Sequence, residues 1–163
     1  MASIEKLPAG AFNISRWSGG TTTELFIWPH GASYAERRFS IRISTATVDI
    51  AESTFTKLPR VTRYIAPLGD GFTLKIGQNE PEFIPHAAVK RFDGGEDVTC
   101  AGAGRDLNLM LSGADNDKAE RTAYRKASGV LVRLCRAGLP HKRRQRADEY
   151  RKRRISAYIC RCG

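Results

Sequence analysis

What this chain lacks narrows it first. No uninterrupted apolar run approaches the roughly 20 residues a membrane-spanning helix needs. The opening MASIEKLPAGAF has no basic-then-apolar leader pattern. The expectation is a soluble, cytoplasmic protein with no membrane partner. The four cysteines, Cys100, Cys135, Cys160 and Cys162, contain no C-x-x-C pair, and the last two are too close to bridge each other easily. They read as free thiols rather than as a disulfide framework or a zinc site. Histidine is scarce: His30, His86 and His141 are far apart, with no H-x-H. No metal is expected, and His30 and His86 read as loop residues. G-x-S-x-G is absent, and no phosphate-binding helix pattern follows Gly102-Ala103-Gly104. A nucleophile elbow and a nucleotide loop therefore have no support, and no cofactor is implied. There is also no internal repeat.

What is present is unevenly charged. The net charge is +10, yet residues 1–116 carry 12 Lys/Arg against 13 Asp/Glu, while residues 117–163 carry 15 against 4. The chain divides into a near-neutral domain over 1–116 and a basic tail over 117–163. At 163 residues there is enough for one domain and one core. In the tail, Lys118–Lys126 could form a helix and Gly129–Leu134 a strand. His141–Arg154 (HKRRQRADEYRKRR) has no apolar face and reads as solvated or disordered.

The first 116 residues alternate. Phe39, Ile41 and Ile43 point one way; Ser40, Arg42, Ser44 and Ala46 point the other. A short strand over Val61–Ile65 carries Arg63. Thr21–Trp28 is β-branched and aromatic and closes at Pro29. Asp70-Gly71 has the chemistry of a tight hairpin and launches a strand over Phe72–Ile76; Gln78–Pro85 reads as loop. Ala88–Phe92 and Glu96–Cys100 read as short strands. In Arg105–Leu111, Leu107, Leu109 and Leu111 share one face, and Asp106, Asn108 and Met110 the other. Short strands at this spacing, without amphipathic helices, predict an all-β sandwich or barrel.

Five segments in order resemble the HutD/Ves family: WSGGTTTE (17–24), RFSIRISTATV (38–48), FTKLPRVTR (55–63), KRFDG (90–94) and RDLNLM (105–110). The resemblance covers about residues 4–112. It implies a cupin-like, jelly-roll barrel, and a regulatory, metabolite-sensing role in histidine utilisation through a small carboxylate such as formylglutamate. Other members are described as stress-induced. Relatives continue beyond the last segment with further strands. The basic tail departs from that pattern, and a frameshifted ending near residues 112–118 would account for it.

The mouth of a small barrel is a natural pocket, and a carboxylate there calls for the planar, always-charged fork of arginine. Arg42 and Arg63 are the leading candidates. Glu24, Asp106, Asn108 and Ser44 would orient them or meet a ligand amide, Trp17 would wall one side, and Thr22 would supply a hydroxyl. The expected partner is a small organic anion. A metal-free enzyme of unknown reaction is the alternative, and nonspecific nucleic-acid binding through the tail comes third. Exposed strand edges would suit a homodimer.

Overall fold

The computed structural model of the chain describes residues 2–6, 9–112 and 158–162. Strand follows strand in it: β1 (Ala2–Lys6), β2 (Asn13–Trp17), β3 (Gly20–Trp28), β4 (Ile41–Val48), β5 (Glu52–Thr54), β6 (Val61–Pro67), β7 (Gly71–Ile76), β8 (Glu82–Pro85), β9 (Lys90–Asp93), β10 (Val98–Ala101), β11 (Gly104–Ser112) and β12 (Tyr158–Cys162). One 3-10 turn, Ala9–Ala11, is the sole helical piece among the described residues. None of their helices is long and apolar enough to cross a membrane.

Ten strands form two antiparallel sheets. One runs β2-β3-β4-β11-β6-β9 and the other β5-β10-β7-β8. A small separate ladder pairs β1 with β12, so Tyr158–Cys162, within the basic segment, is strand. The arrangement is all-β and cupin-like. Among the described residues the sheets do not close into a barrel: β2 and β9 are the edges of one, β5 and β8 of the other. The helix and strand expected at 118–126 and 129–134, and the charged run at 141–154, lie outside the described residues.

The central strands alternate for a physical reason: each serves two layers. Leu107, Leu109 and Leu111 of β11 join Leu25, Tyr64 and Ala66 in one apolar layer, with Ile41 and Ile43 packed against it. The opposite face of the same strands looks toward the four-stranded sheet. There Ile65 and Phe92 meet Phe72, Leu74, Ile84, Val98 and Cys100, which fastens the two sheets together. A third cluster, Phe39, Leu58, Val61 and Met110, packs beside it.

Three details depart from the sequence expectation. The Asp70-Gly71 turn is no hairpin. Both edges of β6 are occupied, by β11 and β9, so β7 must cross to the second sheet and pair there with β10 and β8. The stretch expected to be loop over 78–85 contains β8, recruited by the free edge of β7. Phe39 does not share the face of Ile41 and Ile43. It precedes β4 and packs with Leu58, Val61 and Met110, while Ser40 donates its N–H to the Trp28 carbonyl.

Close backbone approach fixes two glycines. A Cβ on Gly20 would lie 1.9 Å from the Thr47 carbonyl oxygen, across the β3–β4 pair. One on Gly94 would meet the carbonyl oxygens of Leu58 and Val61 at 2.8 Å. The Leu58–Val61 turn is held against β9 by Gly94, through Leu58 N–H to its carbonyl and its own N–H to Val61. That turn delivers the chain into β6 and Arg63.

Candidate functional site

The inner face of the six-stranded sheet forms a floor of cross-strand rows, read directly from the register. The first row is Ile27–Arg42–Met110–Arg63–Phe92. The second is Glu24–Ser44–Asn108–Ile65–Lys90, and the third Thr22–Ala46–Asp106–Pro67. Both arginines thus flank Met110 from opposite sides of β11. Above this floor passes the segment from Ser53 to Thr56, where Ser53 pairs with Cys100 and the Phe55 N–H is bound by the Val98 carbonyl. Between them lies a cavity of about 320 Å³, lined among others by Trp17, Thr22, Arg42, Ser44, Ser53, Phe55, Arg63, Asp106, Asn108 and Met110.

Arg42 is fully engaged. Its Nε donates to Glu24 Oε2 at 2.7 Å, and Nη1 donates to Ser44 Oγ at 3.1 Å. Its guanidinium lies 4.0 Å from the centroid of the Tyr34 ring. The register shift between Glu24 and Phe26 brings Glu24 within reach of it: a β-bulge absorbs Leu25 into the apolar layer and turns the carboxylate toward the next row.

Arg63 is differently placed. It is only 5% exposed, its guanidinium lies 4.7 Å from the Phe55 centroid and 5.2 Å from that of Phe92, and its Nε has no hydrogen-bond partner. It forms no salt bridge among the described residues. Burial lowers its pKa to about 10, against the pull of Tyr34 and Asp106 and with the repulsion of Arg42. It is still a cation at neutral pH.

Asp106 Oδ1, Asn108 Oδ1 and Ser53 Oγ also lack hydrogen-bond partners. Burial pushes the Asp106 carboxyl up to about 7, although Arg63 and a hydrogen bond from the Ala46 backbone pull it down. The rows of Arg63 and Asp106 lie four residues apart, about 13 Å along the strands. The long arginine brings its charge close enough to be felt, but no ion pair forms. Buried polar groups in folded proteins are nearly always paired. The four orphaned atoms of the described residues, on Ser53, Arg63, Asp106 and Asn108, all belong to residues lining this one cavity.

Of the eight residues singled out from sequence, seven line the cavity: Trp17, Thr22, Arg42, Ser44, Arg63, Asp106 and Asn108. Trp17, at 40% exposed, stands at its rim. The eighth, Glu24, does not line it and instead holds Arg42. Sequence reasoning missed Tyr34, Ser53 and the wall formed by Phe55. Tyr34 sits in an irregular loop without periodicity, and β5 is three residues long, too short to alternate visibly. The lining residues do not fit a metal. They include a single carboxylate, Asp106, and no histidine or cysteine, and no group of three or more His, Cys, Asp or Glu among the described residues could hold an ion. His86 Nδ1 is bound 2.9 Å from the Gly69 carbonyl, away from the cavity.

Two antiparallel sheets enclosing a polar set of side chains define a cupin-like protein with a small-molecule type of pocket. The profile of the HutD family matches residues 9–134, and the chain belongs to that family. The match runs past the charge step at 117 and past the point where a replaced ending was expected. HutD from Pseudomonas fluorescens SBW25, in a structure from a formate condition, is similar at 25% identity with a TM-score of 0.58, over 68% of this chain and 61% of that one. A conserved protein of unknown function from Pseudomonas aeruginosa PAO1 is 26% identical with a TM-score of 0.56, over 68% and 56%. This chain therefore spans less than two thirds of either relative. Vicilin from hazelnut, Corylus avellana, shares the fold alone, at 8% identity and a TM-score of 0.50, over 68% of this chain and 33% of that one. No curated protein matches the sequence.

Proposed function

We propose that the two sheets, as walls of a jelly-roll barrel, bind a small organic carboxylate, with Arg63 as its anchor, and that the protein acts as a metabolite sensor in histidine utilisation. One observation carries this reading: a buried cation that makes no ion pair among the described residues lines a cavity together with three other residues that carry orphaned polar atoms. Burying such groups unpaired costs about 1–3 kcal/mol each, more for a charge. A ligand carboxylate would take two hydrogen bonds from a guanidinium, while Asn108 and Ser53 would complete its shell. The cavity admits only a molecule of modest size. The fluorescens relative's formate condition names the simplest probe.

The test is thermal unfolding in the presence of formate, formylglutamate, urocanate and glutamate. The midpoint is expected to climb with the concentration of one of them, since binding to the native state alone stabilises it. A cooperative transition that none of the four moves would count against the carboxylate reading. Catalysis without a metal is the second reading, favoured by a cavity carboxyl with a pKa near neutrality. Recovery of the ligand unchanged after incubation separates the two.

A further inference from the structure

Asp106 poses a question the carboxylate reading leaves open. An anion entering beside Arg63 shares the cavity with a second acidic group, 7% exposed, on the central strand of the floor. A second negative charge in the same low-dielectric cavity disfavours the ionised form of a carboxyl. The carboxyl holds one backbone hydrogen bond, from Ala46, and its Oδ1 has no partner. A buried carboxylate is normally stabilised by two or three donors or by a paired cation, and this one has neither.

Resting on the reading of the cavity as a carboxylate site, we propose that the anion binds together with one proton, held on Asp106, so that the site takes a carboxylate and H⁺ as a unit. As a neutral acid, Asp106 becomes a donor. Its O–H then joins Arg63 Nε–H, the Ser53 hydroxyl and, by rotation of its amide, an N–H of Asn108 as donors on residues that line the cavity. As a carboxylate it would repel the anion. The proton comes from solvent, and no bond other than the O–H is made.

The groups around Asp106 leave it as the one to titrate. Arg63 on β6 and Arg42 on β4 are arginines, the latter paired with Glu24. Cys100, on β10 of the facing sheet, is pushed up to about 11 by its own burial and by Asp106, so it stays a thiol. Tyr34, in the loop beside Arg42, contributes a phenol to the lining. His30 and His86 do not line the cavity. The carboxyl itself, held near 7, would be raised further by a bound anion.

Calorimetric titration of the full chain with sodium formate at pH 6 and pH 8.5 tests this, the latter in Tris and in HEPES. Affinity should fall about tenfold for each pH unit above 7. At pH 8.5 the heats in the two buffers should differ by their ionisation enthalpies, as uptake of one proton requires. Asp106→Asn should bind formate equally at both pH values, with no dependence on buffer. Equal affinity at both pH values with buffer-independent heats for the parent chain would overturn the proposal and leave the carboxylate reading standing. So would loss of formate binding at pH 6 in a folded Asp106→Asn, which would mean that a neutral donor at this position does not serve the anion. Formate binding at neither pH would overturn both readings for this probe.

Discussion

The two arginines on either side of Met110 occupy the same row of the same sheet, with equal burial, yet they have opposite environments. Arg42 is neutralised by Glu24, capped by Ser44 and stacked near Tyr34. Arg63 has aromatic neighbours but no anion. A buried arginine with its partners present is part of the scaffold. One whose polar edge has no partner among the described residues carries a cost that a bound anion would relieve. On the proposed reading, the comparison divides the cavity into a structural end and a binding end.

The largest effect should come from the scaffold end. Arg42→Ala leaves the Glu24 carboxylate without its cation, at a cost of about 3 kcal/mol or more, which thermal unfolding would register as a fall of about 10 °C or more. Combining Arg42→Met with Glu24→Leu should recover most of that loss, because it removes both charges. If Arg42→Ala keeps the midpoint of the parent and merely loses ligand, the division between the two ends is wrong.

Next in size is the opposite substitution. Arg63→Met should leave the unliganded midpoint within about 1 kcal/mol of the parent, since the lost cation–π contacts are offset by a desolvation cost no longer incurred. It should abolish the ligand-induced rise, worth about 2.7 kcal/mol at a hundredfold excess over Kd. A collapse in stability equal to that of Arg42→Ala would erase the distinction.

A third effect is graded by pH. In the fold the Asp106 carboxyl stays protonated up to about 7; in the unfolded chain it ionises near 4. Between those values the unfolded state holds fewer protons, so this group's contribution to stability is full below about 4. It is lost as pH rises toward 7, by about 1.4 kcal/mol per unit at most. Asp106→Asn should therefore be more stable than the parent above pH 7, with the gap closing toward pH 4. A constant gap across that range would mean that Asp106 is not buried as an acid.

Much of this was legible from sequence, for a definite reason. Arg42, Ser44, Asp106 and Asn108 lie on β4 and β11, long strands with a core on one side and a cavity on the other. Burial on both faces left a period-two signal in which the polar residues were the anomaly. Arg63 was visible because a short apolar strand surrounds it. The roof was not. Ser53 and Phe55 reach the cavity because a three-residue strand pairs with β10, almost 50 residues further along the chain, and no local pattern encodes such a pairing. The same holds for the crossing of β7 to the second sheet. The Asp-Gly dipeptide specifies a tight turn, but which edge is free to receive the next strand depends on β9 and β11, which come later. Whether Arg42 or Arg63 was the paired cation also escaped notice, because the strand order that sets β3 beside β4, and the bulge that brings Glu24 to Arg42, are properties of the folded ladder.

The interleaving of floor and core along β11 has an evolutionary consequence. Leu107, Leu109 and Leu111 hold the sheet, while Asp106, Asn108 and Met110 line the cavity and, on the proposed reading, set what it accepts. Substitutions at the second set can alter ligand preference without repacking the first, so specificity can drift among relatives while the scaffold stays constant. Indels are the exception. Deleting one residue within β11 would shift the leucines into the cavity and the acid and amide into the apolar layer. In a lineage of such proteins, this strand should therefore vary freely in chemistry and hardly at all in length.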